Sequence, residues 1–307
     1  MRKFLIALGA ITVAGAVTAA LAVAAPWSGT GETRTDRAGT ASKLPPLPAE
    51  VAQRKRWVIG VKCDFPPFGY INRQNKNAGY DVDVARRFAE LAFGRRNRVS
   101  LTCVTTPSRI PVLQQKRVDI IISTLTWTAA REEIIDYSYP YFNATGRLLV
   151  PNNTSIRRLR DLNGKRIVTT RSSIYDRYVR NCFGSATLTV TDSPVAALEF
   201  LRQGRVDTFM FDDTFLLGVA ANDRSLKMTA HKFLAVPYGI GIRKDEPEMK
   251  RWVNAAVLQM KRRDEFWAIL KRNSPRNFWT AFRTNVPRPK TKEAYPRGKE
   301  PEKNCPS

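Results

Sequence analysis

Arg131 and Asp212 are the two residues of this chain whose types and settings most directly offer binding chemistry. A guanidinium presents a planar fork of donors that matches a carboxylate. Asp212 follows directly on the apolar run Phe209-Met210-Phe211, so it offers a carboxylate at the end of a buried strand. Ser123, Thr124 and Thr126 put hydroxyls and backbone groups behind a second apolar run, Ile120-Ile121-Ile122. Ser172 and Ser173 stand where a strand turns into a helix, and backbone N–H groups at such a turn suit an anion. Lys62, Arg109 and Arg171 fall at further turns expected to face the same space. Each of these residues also has a plainer reading. Arg131 has Glu132 and Asp136 as surface partners, and Arg171 reads equally as a surface residue. Asp212 or Asp213 suits the N-cap of a helix over 214–220, and Ser173 suits an N-cap as well. Bond-making chemistry has less to stand on. His231 is the single histidine and lies away from these segments, no nucleophile elbow occurs, and Asp64, Asp212 and Asp213 are the carboxylates that can be placed near the cations.

The elements that position these groups come in two copies of one pattern. Gln115-Lys116-Arg117-Val118-Asp119 leads into Ile120-Ile121-Ile122, and Gln203-Gly204-Arg205-Val206-Asp207 leads into Thr208-Phe209-Met210-Phe211. In each a helix ends, a basic turn follows, and a short strand delivers polar groups at its carboxyl end, where open α/β sheets bind ligands. Around them, strands are expected at 57–62, 99–104, 166–169 and 207–211. They alternate with helices near 81–92, which Asp81 can cap, and near 110–115, 173–182 and 193–203, and a long helix follows from Glu246. That alternation predicts an α/β fold with two mostly parallel sheets. Extended crossings near 147–151 and 237–242 would make two lobes with a central cleft. The boundaries follow: 57–146 with 241–282 as a discontinuous first lobe, and 147–240 as the second.

The same segments resemble the family 3 solute-binding proteins that serve ABC importers of polar amino acids. The resemblance is carried by Ser123-Thr124-Leu125-Thr126-Trp127-Thr128, Arg131 and Asp136-Tyr137-Ser138-Tyr139-Pro140-Tyr141. It continues through Gly60-Val61-Lys62-Cys63-Asp64-Phe65-Pro66-Pro67-Phe68, Gly79-Tyr80-Asp81-Val82-Asp83, Arg109-Ile110-Pro111, Leu162-Asn163-Gly164 and Tyr238-Gly239-Ile240-Gly241. It spans about residues 57 to 272, and Gly60-Val61-Lys62-Cys63-Asp64 is similar to the actinobacterial glutamate-binding type. The resemblance implies a two-lobed periplasmic-binding-protein fold of type II, a monomer, an amino-acid ligand and a permease partner. It implies Arg131 on the ligand α-carboxylate, Asp212 on the ammonium, Phe65 packed on the ligand, and Thr124 and Thr126 at the first-lobe half-site. Trp127 and Tyr175 are further cleft candidates. Ile174 stands where some relatives carry a hydroxyl. Relatives that bind basic amino acids have a carboxylate near Lys62, and this chain does not. Three cations around one pocket favour glutamate or aspartate, with glutamine next. A sensing protein without transport, or an enzyme like the cyclohexadienyl dehydratases, are the other functions this fold hosts.

Composition sets the remaining expectations. Arg2 and Lys3 precede an uncharged run from Phe4 to Ala25 that reads as an export signal or an uncleaved anchor. Residues 26–56 read as a disordered linker and 283–307 as a disordered, Pro- and Lys-rich tail. The net charge is +24, of which 1–56 carry +5 and 283–307 carry +4, so the folded part itself is basic. Such a surface suits an anionic membrane or an acidic solute. No module for nucleic acid appears, and no cofactor is called for. Cys63 and Cys103 end consecutive strands, so they pair if those strands are neighbours and stay as buried thiols otherwise; Cys182 and Cys305 are the remainder. No Cys-x-x-Cys is present to hold zinc.

Overall fold

A computed structural model describes residues 44–299 and 301–306, so the expected signal or anchor over 1–25 and the first part of the linker lie outside it. The first sheet has the order Val99–Val104, Trp57–Lys62, Ile120–Ile121, Gly241–Ile242, Asp136–Tyr137. Its first three strands run parallel, and Gly241–Ile242 returns antiparallel. The helix Tyr80–Phe93 covers it with Val82, Val84, Ala85, Phe88 and Ala89, a stripe at helical spacing. Gly94, at φ 69°, ends that helix in the left-handed conformation that glycine adopts without strain.

The second sheet has the order Thr187–Thr191, Arg166–Thr170, Thr208–Asp212, Phe142–Pro151, Leu226–Met228. Phe233–Tyr238 lies antiparallel beside Phe142–Pro151, with Val236 opposite Ala144 and Tyr238 opposite Phe142. These two strands are the crossings between the sheets. The outgoing one begins at Phe142, earlier than the sequence suggests, because the alternation of buried and half-exposed residues already runs from Phe142 to Arg147, ahead of the fully buried Leu148–Val150. A small sheet of Asp64–Phe65, Gly69–Ile71 and Asn77–Ala78 sits above the first sheet. No helix among the described residues is long and apolar enough to cross a membrane.

Both low-complexity expectations need correction where residues are described. Within 26–56, Ala49–Arg54 is a helix whose Val51 is fully buried, and Leu44 and Leu47 pack on the same core. Three apolar residues spaced three and four apart outweigh a polar average. Within 283–307, Val286 is buried, Arg288 forks onto Asp264, and Cys305 is bonded to Cys182. A few anchors order a segment whose composition reads as disordered. Cys63 and Cys103 form a disulfide, because Val61 and Lys62 pair with Cys103 and Val104 across parallel neighbours.

Candidate functional site

The carboxyl ends of the two sheets face each other across a cavity of about 10 Å³, lined by Thr106, Arg109, Thr124, Thr126, Tyr175 and Asp212 among others. That is room for about one water molecule, so the lobes stand closed. Phe65 of the first lobe packs on Phe211 and Phe215 of the second at centroid distances of 5.6 and 5.2 Å. It is 1% exposed and does not line the cavity itself, but packs on Phe211, which does.

Arg131 comes from the short helix Ala129–Glu132, whose N-cap Thr128 accepts a hydrogen bond from the Arg131 N–H. Its guanidinium donates to Thr126 O in its own lobe and to Ser172 O in the other, both at 2.7 Å. Burial holds its pKa below the ordinary guanidinium value. Arg109 begins the helix Arg109–Gln114 and donates to Ser123 O at 2.8 Å and Thr124 O at 3.1 Å. Burial, and then the neighbouring Arg131, push its pKa down to about 10. Among the described residues neither guanidinium has a carboxylate within ion-pair distance. Arg109 Nε and Ser123 Oγ are buried and have no hydrogen-bond partner among the described residues, which marks a place where further polar groups are accommodated.

Asp212 occupies the N-cap position of the helix Asp213–Asn222 but makes no capping bond with its side chain. Instead its Oδ1 accepts from Tyr175 Oη at 2.7 Å, and it is 5% exposed. Burial pushes its pKa up to about 6, against the hydrogen bonds from Tyr175 and Tyr238. Asp213 does not cap either. It accepts from Thr145 N and Thr145 Oγ1, which fastens the helix to the outgoing crossing strand. Tyr175 is thus a positioning residue for Asp212.

The other expected residues separate. Lys62 is fully buried beside the cleft, with Nζ 2.8 Å from Asp64 Oδ1 and 3.2 Å from Thr106 Oγ1. Burial lowers its pKa, and the Asp64 charge opposes that shift. Thr124 takes a left-handed backbone, φ 48°, an uncommon and strained state for a β-branched residue. Ser172 is left-handed too, at φ 59°; its N–H donates to Asp176 and its carbonyl accepts from Arg131. Ser173 is the N-cap of Ile174–Cys182, accepting from Asp176 N, while it and Ile174 line the cavity. Arg171 is a correction: it is exposed and paired with Asp192 at 2.8 Å, because the adjacent strand end supplies a carboxylate on the solvent side. Trp127 is another: it is buried against Tyr295 and donates to Glu132, turned away from the cavity.

Asp81, which the sequence suggests as a helix cap, has a different role. Gly79 holds the cap position, and Asp81 is buried with Oδ2 accepting from Thr124 N at 2.8 Å and Oδ1 from Tyr141 Oη at 3.0 Å. Burial raises its pKa to about 7. It holds the strained turn at Thr124 in place. The available signal was a carboxylate four and seven residues before Ala85 and Phe88, on the apolar stripe of its helix. Thr106 has no comparable signal; a loop threonine becomes a site residue only through the path of the chain. Among the described residues no cluster of histidine, cysteine or carboxylate is placed to hold a metal.

Two α/β lobes joined by paired crossing strands, closing on buried charges from both, define a binding-protein architecture. Residues 57–274 match the bacterial extracellular solute-binding proteins, family 3, and the chain belongs to that family. The ABC transporter glutamine-binding protein GlnH of Bacillus subtilis (strain 168) is 28% identical over 226 residues, 73% of this chain and 83% of its own length. The glutamate-binding protein GluB of Corynebacterium glutamicum is 28% identical over 227 residues, 70% of this chain and 77% of its own. A solved structure of an ancestral arginine-binding protein bound to glutamine superposes with a TM-score of 0.66 at 29% identity, covering 71% of this chain and 97% of that one.

Proposed function

We propose that the protein captures a dicarboxylic amino acid, glutamate or aspartate, outside the cytoplasm and delivers it to the permease of an ABC importer. The observation that carries the ligand class is the charge inventory of the cleft. Arg109 and Arg131 are buried cations bonded to backbone carbonyls, Asp212 is a buried carboxylate bonded to a tyrosine, and among the described residues none of the three has an ionic partner. Lys62 and Asp64 offset each other. A ligand with two carboxylates and one ammonium complements what is left over, and unpaired buried charge is what such a site must avoid. In this reading the α-carboxylate takes the place of the Ser172 carbonyl on Arg131. The ammonium meets Asp212, and the side-chain carboxylate meets Arg109. Glutamine is the second reading, favoured by the pairing of Lys62 with Asp64, by Arg171 standing outside the cleft, and by the glutamine-binding relative. Arginine adds like charge and is disfavoured by repulsion.

Binding and release follow from the geometry. A cavity of about 10 Å³ admits no amino acid, so entry needs the lobes to part about their crossing strands. The family supports extracytoplasmic placement and an importer partner. The functions kept as alternatives, sensing without transport and a dehydratase-like enzyme, lack a supporting feature in the cleft. Thermal melting with a panel of amino acids checks the assignment. Glutamate or aspartate at 100 times its Kd stabilises by about 2.7 kcal/mol, and should raise the midpoint by several degrees, more than glutamine and far more than arginine. A largest shift with arginine or lysine overturns the ligand class.

A further inference from the structure

The family match ends at residue 274, and beyond it the described residues 283–299 and 301–306 form a strap anchored on both lobes. Its first anchors lie on the first lobe. Arg288 forks onto Asp264 at 2.6 and 2.9 Å, and Glu293 pairs with Lys261 at 2.5 Å. Tyr295 stacks on Trp127 with ring centroids 5.5 Å apart and donates to Ser138 O at 2.6 Å. Gly239, on the returning connection, makes the room: a Cβ there would lie 2.0 Å from Tyr295 Oη. Arg297 then donates to Glu132 at 2.5 Å, one residue from Arg131. Its last anchors lie on the second lobe. Cys305 is bonded to Cys182, which ends the helix Ile174–Cys182, and Asn181 Nδ2 donates to Glu302 O at 3.1 Å. Glu302 is 3% exposed against that helix, and its carboxylate is felt by the Arg131 guanidinium. The same helix starts at Ser173, beside the Ser172 carbonyl that Arg131 grips.

We infer that residues 283–306 are a third connection between the lobes, closed covalently by Cys182–Cys305, that limits how far the cleft opens and so sets how long ligand is retained. The two strands crossing at 142–151 and 233–238 allow a hinge. The strap joins the lobes at a different place, from Arg297 in one to Cys305 in the other. The residues between them span at most roughly 28 Å when taut, which caps the opening. A restrained open state has fewer conformations, so the closed state is favoured over an untethered hinge. The cysteine pair is the part of this connection that rearranged side chains cannot undo.

The test uses the full oxidised chain and a Cys182→Ser/Cys305→Ser variant, with Tyr295→Ser/Arg297→Ser as a second variant that moves the last first-lobe anchor back to Glu293, so lengthening the free stretch, and leaves both disulfides intact. Without ligand, small-angle scattering should give a larger radius of gyration for either variant than for the parent chain. With saturating glutamate all should reach one compact value. Glutamate dissociation, followed by stopped flow, should be at least about fivefold faster from either variant, the lower end of usual coupling effects. The dissociation arm rests on the amino-acid reading, whereas the ligand-free scattering does not. Failure of every form to bind glutamate removes the ligand assignment and leaves the strap to the scattering result. Equal ligand-free radii for the parent and a folded variant overturn the strap.

Discussion

Arg131→Ala should cost roughly 3–5 kcal/mol of ligand affinity, the penalty for leaving a buried charge without its partner. That is more than a hundredfold in Kd. The reason lies in what the guanidinium touches. Its two donors already reach Thr126 O and Ser172 O, one in each lobe, so a carboxylate placed between the lobes meets a fork that is fixed in direction. Removing the side chain also removes a buried cation that has no ionic partner among the described residues, and its backbone acceptors become open to the cleft. The fold should therefore persist, with a melting midpoint within a few degrees of the parent. Arg131→Lys should recover only part of the affinity, because an ammonium cannot bridge two acceptors as a planar fork does. Near-parental binding by Arg131→Ala would remove this residue from the site.

Asp212 gives the second large effect, and its sign depends on pH. Its pKa stands at about 6 because of burial. A ligand ammonium favours the ionised carboxylate, so binding releases a proton below pH 6. Affinity should be full above pH 7 and fall by up to about tenfold per pH unit below 6. Stability without ligand runs the other way. A raised carboxylate contributes stability that is present at low pH and lost as pH rises through its folded value, here about 6 for Asp212 and about 7 for Asp81. The free protein should thus melt higher at pH 5.5 than at pH 8 while binding more weakly. Asp212→Asn keeps an acceptor for the Tyr175 hydroxyl and deletes the charge. It should lose about a hundredfold in affinity at pH 7.5 and show a flattened pH profile between 5 and 7. An unaltered pH profile in this variant would place the titrating group elsewhere.

Much of the site was legible because strand ends and their polar residues are local features. An apolar run followed by Ser123-Thr124-Leu125-Thr126 or by Asp212 states its own place in a sheet, and the structure puts Thr124, Thr126 and Asp212 around one cavity. What required the fold was partnership between distant segments. Arg109 and Arg171 look alike as turn cations. One turns inward onto Ser123 and Thr124 carbonyls; the other meets Asp192, delivered by the neighbouring strand. Lys62 reads as free charge, yet Asp64, two residues on in the first strand of the small sheet, lies 2.8 Å away and offsets it. Asp81 reads as a cap because polar residues at a helix start usually serve there, whereas the buried Thr124 N–H takes its carboxylate. The strap was hidden for a different reason. Its order comes from separated anchors, Val286, Tyr295 and Cys305, in a stretch whose average composition is that of a disordered tail.

The expected consequence of two guanidinia and one carboxylate without ionic partners among the described residues is selection of a dicarboxylic amino acid. Titration calorimetry of glutamate, glutamine and arginine against the parent chain and Arg109→Gln, at pH 7.5, measures it most directly. Glutamate should bind the parent tightest, glutamine more weakly and arginine most weakly. In Arg109→Gln the glutamate affinity should fall by at least about tenfold more than the glutamine affinity, so that the gap narrows or closes. Equal losses for glutamate and glutamine, or arginine binding the parent as tightly as glutamate, would contradict it.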